Sequence, residues 1–517
     1  MPARLVALLL LAVVAGGALW SDRPPAPVPA SAPATEFSAE RALPIVADLA
    51  RAPHPVGSPA AARVRDDVVG RLRALGLAPR TETSVVGGTA VTNLVATLPG
   101  SAPTGTVVLA AHTDSVPAGP GAADDTASVA AILETVRALR AGPPLRDDVE
   151  VLLTDGEEAG LLGARAWVRD GLPAARPTVV LNHEARGVAG PSLVFRTSPG
   201  NAGLLRAIAA VPHPRGDSSL DAVFRLLPHD TDLSAVLAAG RPGIDSAFIE
   251  RPSEYHTAGD TPAALSAASV QSQGSTMLAL ARTLGDADLR PLDPAASGLP
   301  AQPDEVWFRL LGVLVTYPQA WALPIAVAAA LVLVGAVVLA RRRGLLRLRD
   351  VVTATATATG ALLAAAGLGA ALGAAAGPDA GPFSRGLLPY EVADVALAVV
   401  VVLAWALALR RRPGATTTAG AAALLAAIGV ATAVVVPGAS FLFALPALGL
   451  GLGLTVAVLR PRAALTALAV GTVPVAALLL PYAPRVFLVD GAAHGLAAAA
   501  FALAGLPLVA VAAGGRV

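Results

Sequence analysis

Five short stretches of this chain hold side chains that could do metal chemistry. They are His112 and Asp114 in AAHTDS, Asp124 in GAADDTAS, Glu157 and Glu158 in TDGEEAG, Glu184 in NHEARG and His256 in EYHTAGD. Imidazoles and carboxylates are the ligand set of zinc. A second carboxylate beside a ligand carboxylate can serve as a general base in hydrolysis. Converged in space, these residues would make a two-metal hydrolase.

Each stretch also has an ordinary structural reading. His112 and Asp114 could be a turn after a strand, with Asp114 orienting the imidazole only if His112 is a ligand. Asp124 and Asp125 could cap a helix, or one of them could lie between two metals ~3.5–4 Å apart. Glu pairs are usually solvated helix starts. Here the pair abuts an apolar strand, sits between Gly156 and Gly160 and leads into an apolar helix. That context favours one Glu as ligand and its neighbour as base. His183 competes with Glu184. Tyr255 could donate to an oxyanion beside His256. His229, Asp230 and Asp232 in PHDTD are a secondary candidate, equally explained by helix capping. His54, His213 and His494 have no partner in sequence and read as structural or exposed.

The elements that must position these residues alternate between strand and helix over residues 36–290. VTNLVATL, TVVLAA, VEVLLT, TVVLN, SLVFRT and IDSAFI read as buried strands. Ser58-Pro59 reads as an N-cap with Pro at N1, opening a helix that stops at Gly76. Further helices are expected near 126–141, 160–169, 200–210, 231–239 and 263–284. This is an α/β pattern with a mostly parallel sheet. Ligand sites in such sheets lie beyond the carboxyl ends of the strands. His112, the Glu157–Glu158 pair, Glu184 and His256 each follow a predicted strand, so the order delivers them to one edge.

The chain has 517 residues, 54% of them hydrophobic, and a net charge of +1. That balance gives no electrostatic case for nucleic acid. There is no cysteine, so disulfides and thiolate metal sites are excluded, and all 38 basic residues are Arg. The excess hydrophobicity lies in residues 1–20 and beyond about 320. Residues 1–20 read as a signal anchor or signal peptide, with the anchor slightly favoured. Residues 21–35 read as a Pro/Ala linker. A connector at 291–320 leads to an all-α membrane domain at 321–517 with seven apolar spans, at 321–340, 352–376, 391–409, 417–436, 440–459, 463–481 and 494–513. Arg341, Arg342, Arg343, Arg347 and Arg349 follow the first span, Arg410, Arg411 and Arg412 the third, Arg460 and Arg462 the fifth, and Arg516 the last. The alternate loops hold only Arg385 and Arg485. By the positive-inside rule this puts the C-terminus, and with Arg4 the N-terminus, in the cytoplasm. Residues 21–320 are then extracytoplasmic. A multi-pass protein of the plasma membrane is the expectation.

The ordered series H-x-D, G-A-x-D-D, D-G-E-E-x-G-L-x-G, N-x-E-A and Y-H-T resembles the di-zinc aminopeptidases of metallopeptidase family 28. It is most similar to the membrane branch that contains the endoplasmic reticulum metallopeptidase and the vacuolar membrane protease. PHPVGS and HDTD also resemble that branch. The resemblance implies a three-layer zinc-exopeptidase domain and two zinc ions. Asp124 would bridge them, His112 and Glu184 would complete one site, and Glu158 and His256 the other. Glu157 would be the base, Tyr255 an oxyanion donor, and Asp114 and Asp125 supporting residues. Soluble members carry Asp where this chain has Glu184. The implied activity is removal of N-terminal residues from extracytoplasmic peptides. A carboxypeptidase on the same scaffold is the alternative. A glutaminyl cyclase fits less well, since it typically manages with one zinc. A transporter with a protease-like sensor domain is the rival from another class; almost no charge lies deep in the spans to support it.

Overall fold

Two-residue alternation and continuous apolar runs give seven strands in one mixed sheet, in a computed structural model that describes residues 2–225, 230–376, 388–483 and 493–513. The strands are β1 (Arg80–Val86), β2 (Thr89–Leu98), β3 (Thr106–His112), β4 (Asp148–Thr154), β5 (Thr178–Ala185), β6 (Leu193–Thr197) and β7 (Gly243–Phe248), in the order β1-β2-β4-β3-β5-β7-β6. The four central strands β4, β3, β5 and β7 are parallel, and the outer pairings are antiparallel. After β3 the chain crosses to β4 on one side, and then to β5 on the other. The carboxyl end of β3 is therefore the switch point of the sheet, where a crevice opens.

The core explains the strand signals. Every residue of β3 and β5 is buried, as expected of central parallel strands covered on both faces. Val108 and Ala110 of β3 pack with Trp167, Leu233 and Val236 on one face. Helices Ser128–Arg140 and Ala267–Gly285 cover the other. The result is three layers. Helix Pro59–Ala74 begins at Ser58, whose Oγ accepts the Ala61 N–H at 3.0 Å, and is followed by Gly76 at φ 74°.

β1 is absent from the strands read in the sequence because it is a polar edge strand with alternating exposure. Its signal was the turn: Gly87 and Gly88, at φ 58° and 89°, form the two-residue connection to β2 that right-handed strand twist favours. Helices Ala39–Leu49 and Ser218–Phe224 are likewise additional.

Residues 23–309 form one unit. The Pro/Ala stretch expected as a linker is extended but strapped onto it by side chains. Arg41 donates to the carbonyls of Ala30, Ala32 and Glu36, and Arg137 to those of Ala34 and Glu36. Both arginines are held by the buried Glu134 carboxylate, at 2.7 and 2.6 Å. Residues 291–309, expected as connector, also pack here. Asp293 is fully buried and accepts from Arg241 Nε and the Thr178 N–H, each at 2.8 Å.

The second unit comprises residues 1–22 and 310–517. Its described helices include Ala322–Arg342, Leu348–Ala376, Leu388–Ala408, Gly414–Val435, Phe441–Leu459 and Ala493–Ala513, and residues 461–482 are helical with interruptions. Among the described residues, five helices are long and apolar enough to cross a membrane. Helical stretches stand at all seven expected positions; those at Val392–Ala408 and Gly495–Leu508, like Leu5–Ser21, are shorter apolar helices. Small residues set the packing. A side-chain carbon on Gly420 would sit 2.6 Å from Ala354 Cβ, so only glycine permits that approach.

Candidate metal centre

His112 is the last residue of β3, and its ring is almost fully buried. Its Nδ1 donates to the Asp114 carbonyl at 2.9 Å. A proton on Nδ1 leaves the Nε2 lone pair free for a ligand role. Nε2 lies 3.2 Å from Asp124 Oδ1 and 3.7 Å from Glu184 Oε2. Asp124 sits in the turn Ala122–Ala127, beyond Gly121, and its peptide bond to Asp125 is cis. Its other oxygen, Oδ2, lies 3.2 Å from His256 Nε2, which is also 3.1 Å from Glu158 Oε2. The five side chains that sequence marked as ligands thus form one cluster, with Asp124 in the middle.

The backbone around the cluster is held by other carboxylates. Asp114 Oδ1 accepts the N–H groups of Gly156 and Glu157 at 2.8 and 3.0 Å, and Oδ2 accepts that of Glu158 at 3.3 Å. Asp260 was not picked out in the sequence, although it stands four residues past His256. Its carboxylate accepts the N–H groups of Ala123 and Asp124 at 2.7 and 3.1 Å, and its carbonyl that of Ala122. Asp125 Oδ2 accepts the His112 N–H at 3.3 Å. Ligand atoms of Asp125, His112 and Glu184 lie within 4.8 Å of one another, as do those of His112, Asp124 and Glu158.

His183 and Glu184 point to opposite faces of β5, as successive strand residues must. Glu184 reaches the cluster. His183 Nδ1 hydrogen-bonds Ser246 Oγ at 2.7 Å, and burial lowers its pKa to about 3. A neutral, buried imidazole beside a serine is a core histidine. In PHDTD, His229 lies outside the described residues. Asp230 is half exposed. Asp232 is buried, accepts the Thr154 hydroxyl and has its pKa raised by burial to about 6. His54 is buried, with Nδ1 on the Ala52 carbonyl; His213 is exposed.

The electrostatics fit cations. Asp124, Asp125, Glu157, Glu158 and Glu184 crowd two imidazoles. Burial raises the carboxyl pKa of Asp125, Glu157 and Glu184 well above the usual range. Burial alone would lower that of His256, but the hydrogen bonds it donates to Asp124 and Glu158 push it up to about 10. Glu158 Oε1 and Asp125 Oδ1 are buried without a protein partner. Buried anions need paired charge, and a set of oxygens and imidazole nitrogens at this spacing suits zinc. Glu157, on the loop after β4, faces the same cluster electrostatically. Tyr255 stacks on His256 with ring centroids 3.7 Å apart. His256 itself adopts φ 57°, a strained choice for a non-glycine residue and one that functional sites often hold.

The domain is a three-layer sheet domain with these side chains gathered at the carboxyl edge of its central strands. Residues 93–281 match the model of peptidase family M28. The rat endoplasmic reticulum metallopeptidase 1 is 36% identical over 40% of this chain and 23% of its own length. The vacuolar membrane protease of Lachancea thermotolerans is 34% identical over 37% of this chain and 20% of its own. The match thus spans about a quarter or less of the length of these relatives. A solved structure of a zinc aminopeptidase from Bacillus subtilis aligns with 48% of this chain and 96% of its own, at 14% identity and a TM-score of 0.42.

Proposed function

We propose that this domain is a two-zinc exopeptidase of aminopeptidase type that acts on extracytoplasmic peptides. The observation that carries the reading is Asp124, whose two oxygens each lie 3.2 Å from a different imidazole, those of His112 and His256. His112 and Glu184 would hold one ion, Glu158 and His256 the other, with Asp124 between them. When bound, the two ions supply Lewis-acid polarisation of the scissile carbonyl and of water.

The remaining chemistry belongs to the chain. Glu157 takes a proton from the water whose oxygen attacks the carbonyl carbon. It returns that proton to the nitrogen as the C–N bond breaks. Burial raises its proton affinity, and cations bound beside it would oppose that rise and keep the carboxylate ionised for the transfer. Tyr255 donates to the developing oxyanion. Burial, with the charge of Asp124 and Glu158, raises its pKa well above the ordinary value, so the hydroxyl keeps the proton it donates. Asp114 and Asp260 hold the loops that carry Glu157, Glu158 and Asp124.

The Arg pattern supports an extracytoplasmic catalytic domain. The N-terminal helix buries Leu11 and Ala15 against Ala476, which supports a retained anchor over a cleaved signal. The relatives are named for the endoplasmic reticulum and the vacuole, and the expected plasma-membrane location finds no support among them.

A carboxypeptidase reading has one observation in its favour. The Arg186 guanidinium carbon lies 6.0 Å from the Tyr255 ring centroid, which puts a cation near the cluster. The deciding experiment offers the purified chain aminoacyl amides, amino-blocked peptides and C-terminally amidated peptides, with and without chelator. The proposal expects hydrolysis wherever the amine is free, indifference to C-terminal amidation and loss with chelator. Cleavage that needs a free C-terminal carboxylate instead would overturn the aminopeptidase assignment.

A further inference from the structure

Glu184 is tied to a buried line of polar side chains that runs across the sheet away from the cluster. Asn182, two residues earlier on β5, donates from Nδ2 to Glu184 Oε1 at 3.1 Å and to Asp245 Oδ1 at 2.9 Å. Asp245 lies on β7 and is fully buried. Its Oδ2 accepts from Arg196 Nε at 2.7 Å and from the Thr231 hydroxyl at 2.9 Å, and forms an ion pair with Arg196 Nη2 at 2.5 Å. Arg196, on β6, also donates to Thr231 Oγ1 at 2.6 Å and Ser234 Oγ at 2.8 Å. The guanidinium stacks 4.5 Å from the Phe224 ring centroid.

Strand register makes this line. Asn182 pairs with Asp245 across β5 and β7, and Asp245 pairs with Arg196 across β7 and β6. Registered neighbours share a face, and Glu184 shares it with Asn182 by the two-residue repeat. The amide orientation follows from the chemistry. Two carboxylate oxygens flank Nδ2, and an ionised carboxylate only accepts, so the NH2 group must face them. Asn182 Oδ1 is left buried with no partner. That unsatisfied acceptor costs free energy, which the two amide hydrogen bonds must offset.

We infer that Asn182, Asp245 and Arg196 are positioning residues that fix the carboxylate of Glu184, so that Oε1 is held by the amide and Oε2 is presented towards His112. Arg196 keeps Asp245 in place as a two-sided acceptor, and Asp245 aims the amide. Thr231 of the HDTD motif braces Asp245. The motif therefore serves the cluster from a distance, without a ligand of its own among the described residues. This inference rests on the proposed metal-ligand role of Glu184. Partners of this kind typically alter metal affinity by about 10–100-fold.

The test is metal affinity, read by competition of the full-length protein against a graded series of zinc chelators, with folding followed by circular dichroism. Asn182→Ala is expected to weaken one of two zinc ions by about 10–100-fold and to leave the other near the parent value. In the Glu184→Ala background the same change is expected to add nothing, because its effect passes through that carboxylate. An Asn182→Ala protein with parent affinity for both ions, or a loss that adds fully to that of Glu184→Ala, overturns the inference. If Asn182→Ala does not fold, Arg196→Lys serves instead. It keeps the charge but loses the two-pronged grip on Asp245, and is expected to weaken the same ion by a smaller factor; unchanged affinity would again overturn the relay. A parent protein that binds no zinc fails at the earlier step and refutes the metal-centre reading itself.

Discussion

Asp114 Oδ1 accepts the backbone N–H of Glu157 at 3.0 Å while the Asp114 carbonyl accepts from His112 Nδ1 at 2.9 Å. One residue therefore orients the His112 imidazole and anchors the loop that carries Glu157. Asp114→Asn would put an amide donor against a backbone donor at Gly156, Glu157 or Glu158. We expect a loss of about 10–100-fold in zinc affinity and in kcat/KM, measured by chelator competition and steady-state kinetics. Parent values for both would contradict this role.

The neighbours Glu157 and Glu158 should separate cleanly. Glu158 contacts His256 at 3.1 Å and lies within the ligand cluster, whereas Glu157 is assigned the proton transfer. Glu157→Gln should keep both ions and lose at least ~10²-fold in kcat. Glu158→Gln should lose an ion as well. Zinc analysis beside kinetics on each variant checks the division, and a fully active Glu157→Gln enzyme would reverse it.

In NHEARG the geometry favours Glu184 over His183. Glu184→Ala should release one of the two ions, measured as zinc per chain after dialysis. His183→Leu leaves Ser246 without its partner, at a cost of about 1–3 kcal/mol. It should lower the melting temperature while zinc content stays at the parent value. Loss of zinc from His183→Leu alone would exchange the two assignments.

Much of this site was legible because its residues are anchored to strong strand signals. His112 ends β3 and Glu184 is the second-last residue of β5, both wholly buried runs, and the loop of Glu157 follows β4. Parallel order then forces a common edge. Asp260 was not legible, because its work is to accept backbone N–H groups from a turn 136 residues or more away in sequence, and no residue type advertises that. Arg196 and Asp245 were hidden for the same reason: their pairing depends on strand register, which the chain order alone leaves open. The strap lies within residues 21–35, read as linker because Pro and Ala cannot build a core. Its attachment comes from Arg41 and Arg137 on helices elsewhere, both held by Glu134. β1 escaped because an exposed polar edge strand has little apolar alternation to detect.

Sidedness has its own test, made simple by the lack of cysteine. Single cysteines introduced at Ser101, in the peptidase domain, and at Gly414, after the Arg410–Arg412 run, can be challenged with a membrane-impermeant thiol reagent in intact cells. The Ser101 site should label and the Gly414 site should not. Labelling at Gly414 alone would invert the topology and remove extracytoplasmic peptides as substrates.

The most direct test of the central claim is the zinc content of the purified full-length protein, set against its peptidase activity as chelator is titrated in. The position of Asp124 between His112 and His256 predicts about two zinc per chain, with activity lost as zinc is removed and recovered when it is restored. A folded protein that holds no zinc, or that hydrolyses peptides at full rate after zinc removal, would contradict the account.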